Sequence, residues 1–146
     1  MASAGPSASS THRSVSVTRT APGRFAASNA RGGRVAFGTG GDADFTPTEL
    51  LLAAIGGCTA IDVDILTSRR AEPTAFDVVV GAEKVRDDAG SRMVDVEVTF
   101  RVRFPDGDPG DAARQVLPRA VSLSHDRLCT VGRTVVVGTP IATRIE

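Results

Sequence analysis

The sequence predicts an α+β domain whose mainly antiparallel sheets pack around two core helices. Three observations along the 146 residues predict it. Short alternating segments stand at both ends of the chain, a long apolar helix follows the first of them, and a strongly alternating hairpin precedes a second helix. The order strands, helix, hairpin, helix, strands is typical of this class.

The chain before the first helix is expected to form a tail and two or three short strands. Residues 1–13 are mainly Ala, Ser, Gly, Pro and Thr without an apolar core, which indicates a disordered tail rather than a secretory signal. Strands are expected at residues 14–20, 24–28 and 34–38, because turn-forming Pro, Gly and Asn separate these segments. A single domain is therefore expected over residues 14–146.

The first helix is expected at residues 47–68. Thr46 is suited to cap it, and Glu49 follows at the spacing of a capping box. The apolar residues of this segment go almost all the way round the helix, so we expect it to be buried on most sides.

The rest of the chain supplies a hairpin, a second helix and two closing strands. Residues 92–104 are apolar at every even position from 94 and polar at the odd positions between them, so one face lies on a core and the other meets water. This strand is expected to pair with residues 76–85. A second helix is expected from residue 108 to about residue 127, and closing strands at residues 133–137 and 141–145.

Composition and charge exclude several classes of function. Seventeen basic and seventeen acidic residues cancel, which argues against nucleic acid as the main partner. The longest nearly apolar run, residues 50–61, is shorter than the roughly 18 residues of a membrane span. Two cysteines and two histidines form no recognisable zinc spacing, so neither a metal nor a cofactor is expected. Without a signal or a span, we expect a cytoplasmic protein.

The two cysteines are either inert core thiols or a redox pair. Cys58 lies inside the apolar helix after Gly56 and Gly57, each of which costs about 1 kcal/mol relative to Ala. Glycines are needed here either because another helix or strand packs closely against the backbone, or because the approach to the Cys58 sulfur must be kept free of side chains. Cys129 follows the second helix, whose C-terminal partial charge disfavours a thiolate and suits a resolving thiol better than a first nucleophile. Spacing alone does not show that the two cysteines meet.

Two segments resemble the OsmC/Ohr family. Residues 47–63, with the sequence PTELLLAAIGGCTAIDV, resemble that family's signature helix, and residues 128–131, LCTV, resemble its second cysteine segment. The order of elements agrees over residues 14–145. The run before Cys58 is similar to the broader OsmC-like branch rather than to the best-studied hydroperoxide-reducing branches. Leu128 is a departure, because it replaces the Tyr that is common before the second cysteine in that branch.

The resemblance implies an intertwined α+β homodimer that reduces hydroperoxides with a cysteine pair. It implies Cys58 as the peroxidatic thiol and Cys129 as the resolving thiol. A Cys58 sulfenic acid would condense with Cys129 to a disulfide, which an external dithiol, by the resemblance a lipoyl group, would reduce. The rival hypothesis is a non-enzymatic, stress-associated or ligand-binding dimer of the same fold.

The resemblance also carries over an Arg–Glu pair that would activate the thiol. Glu49 corresponds to the acidic member, and the Arg falls most naturally on Arg24, with Arg31 and Arg34 as alternatives. A guanidinium can hold a thiolate, and a carboxylate can orient the guanidinium. Glu49 and Cys58 are nine residues apart, about 13.5 Å along one helix, so a second subunit or a folded-back loop would have to join them.

Overall fold

In a computed structural model, the protein is described from residue 11 to residue 146. The expected tail falls largely on residues 1–10, which lie outside the described residues. The chain forms two compact units, divided inside the first helix between Leu50 and Leu51. The expectation of one domain over residues 14–146 stays a prediction.

The first unit is built on a three-stranded antiparallel sheet, so the larger of the two expected strand numbers is found. Its strands are β1 (Ser16–Ala21), β2 (Arg24–Ser28) and β3 (Arg34–Gly38), with β2 in the middle. The side chain of Asn29 accepts backbone hydrogen bonds at 3.0 and 2.9 Å and so closes the turn between β2 and β3.

Helix α1 (Pro47–Ser68) begins with the predicted capping box. The backbone N–H of Thr46 donates to Glu49 Oε1 at 2.8 Å, and the backbone N–H of Glu49 donates to Thr46 Oγ1 at 3.2 Å. Hydrogen bonds to the Glu49 carboxyl, first from the backbone N–H of Thr46 and then from its side chain, hold the pKa of Glu49 below its ordinary value. Two of the N–H groups that a helix start leaves without partners are therefore satisfied.

The second unit contains the predicted hairpin, whose strands are β4 (Ala75–Asp87) and β5 (Gly90–Arg103). The register shifts between Gly81 and Glu83, opposite Asp95, whose φ is 53°. Among residues that carry a side chain, Asp is one of the few that adopt this left-handed conformation readily. The resulting bulge bends β5 at the segment that also lines the cavity described below.

Helix α2 (Asp108–Leu123) follows the hairpin and continues into a π-helical turn, Ser124–Leu128. Helix α3 (Thr130–Val136) then replaces the strand expected at residues 133–137, and no regular element forms at residues 141–145, so both closing strands were wrong. The Val-rich run favours a strand, but local capping at Cys129 overrides it, since the Gly132 N–H donates to Cys129 Sγ at 3.3 Å.

Helix α1 buries one row of residues instead of most of its surface, which corrects the sequence expectation. The row has four-residue spacing, and Val80 of β4 packs against it at Gly56. Elsewhere apolar side chains remain exposed, including Ile61 at 62% and Ile65 at 52%. The buried row consists of Ile55, Thr59, Val63 and Thr67.

By length and composition alone, α1 is long and apolar enough to cross a membrane, although its uninterrupted apolar run is short. Its polar contacts are those of a helix packed within a protein. Thr59 and Asp62 share hydrogen bonds with the fully buried Ser124 of the π-helical turn. We therefore interpret α1 as a packed helix with one face left uncovered.

Candidate functional site

Three side chains with reactive or titratable groups meet in the second unit. Cys58 and Asp62 lie one turn apart on α1, and Cys129 lies between the π-helical turn and α3. One atom from each, the two Sγ atoms and a carboxylate oxygen, lies within 4.8 Å of the others. Both cysteines are free, and a disulfide needs their sulfurs to close to about 2.05 Å.

A chain of hydrogen bonds fixes the carboxylate of this cluster. Ser124 Oγ donates to Asp62 Oδ2 at 2.8 Å and lies 2.7 Å from Thr59 Oγ1. Ser124 has a single hydroxyl hydrogen, so when it donates to an ionised Asp62 it must accept from Thr59. The π-helical turn begins at Ser124 and thereby anchors the segment that leads to Cys129.

Cys129 is the more buried thiol, with 3% exposure against the half-buried Cys58. Burial raises its pKa, the Gly132 N–H opposes that effect, and the nearby Cys58 and Asp62 add to it. The sequence predicts that the partial charge of a helix C-terminus acts on Cys129. In the structure Cys129 is both the residue after the π-helical turn and the N-cap of α3, so it lies between two helix ends of opposite partial charge. Its protonation is therefore set mainly by burial rather than by a helix C-terminus.

An apolar cavity of about 360 Å³ adjoins Cys129 in the second unit. Thr59, Glu97 and His125 supply polar groups to its wall. A cavity of this size and lining suits a small, largely apolar organic molecule. Its apolar wall comes mainly from β5, α2 and α3, through Val96, Val98, Phe100, Val121, Val135 and Val136.

The structure gives Arg24 and Glu49 other partners within the first unit. Arg24 forms an ion pair with Asp42 and a longer contact of 3.8 Å with Asp44. Glu49 is engaged by Thr46 in the capping box, and no ion pair joins it to Arg24 within residues 11–146. The expected Arg24–Glu49 pair is therefore not formed in this arrangement.

Asp62 is the member of the cluster that sequence reasoning missed. It lies four residues after Cys58, a spacing that places both side chains on one face of α1. Two thiols and a carboxylate are also donors that Zn²⁺ accepts, so Cys58, Asp62 and Cys129 are the residues that could hold a metal. Such binding and a disulfide would use the same sulfur atoms and exclude each other.

The fold and the site define a small α+β protein with two neighbouring thiols, one of which, Cys129, lines an apolar cavity. The chain belongs to the OsmC-like family, since the family model described as "OsmC-like protein" matches residues 39–144. The resemblance noted in the sequence is thereby confirmed.

One protein of known name is similar to part of this chain, and solved structures share its fold. Protein YhfA of Escherichia coli (strain K12) is 36% identical over 95 residues, and the match covers 64% of this chain and 66% of YhfA, slightly under two thirds. An OsmC-like protein of unknown function from Vibrio cholerae superposes with a TM-score of 0.71 at 13% identity, covering 84% of this chain and 92% of that one. The organic hydroperoxide resistance protein OhrB of Bacillus subtilis superposes with a TM-score of 0.51 at 16% identity. That match covers 83% of this chain and 90% of OhrB.

Proposed function

We propose that this protein reduces organic hydroperoxides with Cys58 and Cys129. The Cys58 thiolate attacks the distal peroxide oxygen, the O–O bond breaks, and the alcohol leaves after taking a proton. Cys58 is then a sulfenic acid, and Cys129 displaces its oxygen as water to form a disulfide. An external dithiol, a lipoyl group by family likeness, returns both thiols by exchange.

The observation that carries this proposal is the placement of two free thiols within 4.8 Å of each other, one of which, Cys129, lines an apolar cavity. The distance allows a disulfide with small movement, because each side chain can turn about its own χ1. Cys58 is the more accessible thiol, and Cys129 is buried with a raised pKa. This asymmetry supports Cys58 as the thiol that attacks and Cys129 as the one that resolves.

The activating cation remains part of the proposal. The attack on peroxide uses the Cys58 thiolate, and a guanidinium beside the sulfur would stabilise that thiolate. Arg24 is the proposed cation, oriented by Glu49 once it leaves Asp42 and Asp44. Replacing Arg24 with Ala should slow the alkylation of Cys58 without unfolding the chain. An unchanged rate in Arg24→Ala, with a shift in Arg31→Ala or Arg34→Ala, would assign the role to another arginine.

The proposal includes a cytoplasmic homodimer. Its support is the uncovered apolar face of α1, which includes Leu51, Ile61 and Ile65 at 42%, 62% and 52% exposure. An obligate interface would bury roughly 2,000 Å² or more in total. Analytical ultracentrifugation at micromolar concentration should therefore give a dimer. A monomer that still consumes peroxide would contradict both the dimer and a site shared between subunits.

The test is a thiol count after one equivalent of cumene hydroperoxide. The reduced protein should show two reactive thiols under denaturing conditions, and the treated protein none. Cys129→Ser should lose its remaining thiol to a trappable sulfenic acid, whereas Cys58→Ser should keep its thiol. If both thiols of the wild-type chain survive the peroxide, the rival hypothesis of a non-enzymatic dimer replaces this one.

A further inference from the structure

The carboxylate beside the thiols has no role in the steps described so far. Asp62 lies on the same face of α1 as Cys58, and its carboxylate is within 4.8 Å of both sulfurs. No ion pair involving Asp62 occurs among residues 11–146; its hydrogen bond comes from the neutral Ser124. This negative charge opposes a thiolate on Cys129. A carboxylate beside a buried thiol can instead accept the thiol proton, so the step that Cys129 performs is the one that could use Asp62.

We propose that Asp62 is the general base and then the general acid of disulfide formation, an inference that rests on the proposed function. The Asp62 carboxylate takes the proton of the Cys129 thiol as that sulfur attacks the Cys58 sulfur. The Cys58 S–O bond breaks, and Asp62 gives the proton to the departing hydroxide, which leaves as water. The electron pair of the new S–S bond comes from Cys129, so Cys129 is oxidised and the sulfenic sulfur of Cys58 is reduced.

The surroundings of Asp62 fit this proton transfer. Cys129 is buried, so its thiol lacks ready access to bulk water as a proton acceptor. Burial also keeps Cys129 protonated at neutral pH, which makes a nearby base useful. Ser124 donates to Oδ2 of Asp62 and is itself fully buried, so one carboxylate oxygen is fixed in place. A carboxylate has further lone pairs with which to accept the thiol proton.

A purely electrostatic or structural role for Asp62 predicts a different outcome. The charge of Asp62 raises the pKa of Cys129, so removing that charge alone would make more thiolate and speed disulfide formation. An Asn at this position keeps an oxygen that can accept the Ser124 hydroxyl, so the anchor of the π-helical turn survives. Loss of a base makes Asp62→Asn slower and also makes its rate depend on pH.

The experiment measures disulfide formation as the rate at which the Cys58 sulfenic acid, once formed by one equivalent of cumene hydroperoxide, converts to the disulfide in the full-length protein between about pH 6 and pH 8. We expect Asp62→Asn to form the disulfide about 10²-fold more slowly, with a trappable Cys58 sulfenic acid accumulating. In the wild type the rate should be nearly independent of pH, because the proton passes internally. In Asp62→Asn it should rise about tenfold per pH unit, since free thiolate must form first.

The matched control is Asp64→Asn, which removes the same charge two residues along α1. The Asp64 side chain accepts a hydrogen bond from Ser68 at 2.9 Å, on another face of the helix, so this variant should keep the wild-type rate and flat profile. A disulfide rate in Asp62→Asn equal to or above that of the wild type would overturn the inference. A loss of rate in Asp62→Asn that is equal at every pH would also overturn it, because such a loss would indicate that Asp62 only positions the other groups.

The wild-type protein tests the inference even if Asp62→Asn does not fold. A wild-type rate of disulfide formation that rises about tenfold per pH unit would overturn it, because no internal base is then at work. Failure of the proposed function looks different: no sulfenic acid would appear in any variant, Cys129→Ser included, and both proposals would fall together.

Discussion

Two adjacent glycines of α1 should respond in opposite ways to the same substitution. A Cβ at Gly56 would lie 2.6 Å from Cγ2 of Val80, whereas a Cβ at Gly57 would meet nothing within 4 Å. Both substitutions to Ala gain about 1 kcal/mol of helix propensity. Only Gly56→Ala must also displace a β-branched side chain whose χ1 is restricted.

The difference between the two variants isolates the packing cost, because the propensity gain cancels. Overpacking of this kind costs about 1–3 kcal/mol. Gly57→Ala should therefore raise the free energy of unfolding by about 1 kcal/mol, and Gly56→Ala should fall about 1–3 kcal/mol below it. Urea unfolding followed by far-UV circular dichroism, in reductant, measures both values and suits a chain without Trp.

A double variant checks that the cost arises at Val80. Val80→Ala removes the methyl group that a Cβ at Gly56 would meet, so combining it with Gly56→Ala should lose less stability than the two single losses together. Equal stability of Gly56→Ala and Gly57→Ala would refute the packing of α1 on β4. A loss in Gly57→Ala alone would indicate that a partner covers that position.

Three further predictions concern the site. Ser124→Ala should destabilise the protein by about 1–3 kcal/mol in urea unfolding, because it leaves Thr59 and Asp62 without their buried partner; no loss would mean that water replaces the hydroxyl. The reduced protein should lose stability above about pH 8.5, because the pKa of Cys129 is higher in the folded than in the unfolded chain. The loss should be smaller in Cys129→Ser, and an equal loss in that variant would contradict a raised pKa for Cys129. Arg24→Ala should slow iodoacetamide labelling of Cys58, whereas Arg19→Ala on β1 should leave it unchanged; equal rates in both variants would remove Arg24 from the mechanism.

Local signals in the sequence predicted the parts of the fold that depend on neighbours in the chain. The capping box at Thr46 and Glu49 formed as expected, and the turns around Asn29 separated the early strands. The alternation of apolar and polar residues along β5 is also a local signal, and it predicted the hairpin. Each of these features is determined within a few residues, so it can be recognised without tertiary information.

The features that depend on contacts far apart in the chain could not be predicted. Cys58 and Cys129 meet because Ser124 bonds to α1, which no spacing reveals. Helix α3 forms although Val135 and Val136 favour a strand, because the thiol and carbonyl of Cys129 accept hydrogen bonds from its first turn. The exposed face of α1 was not predicted either, because the apolar composition of a helix does not show which of its faces another element covers.

The most direct test of the central claim is peptide mapping of the disulfide formed by one equivalent of organic hydroperoxide. The two thiols within 4.8 Å predict a single intramolecular link between the peptides that contain Cys58 and Cys129, with a loss of two hydrogen atoms in the intact mass. Reduction by dihydrolipoamide should restore the original mass. Intact thiols after peroxide treatment, or a disulfide that joins two chains instead, would contradict it.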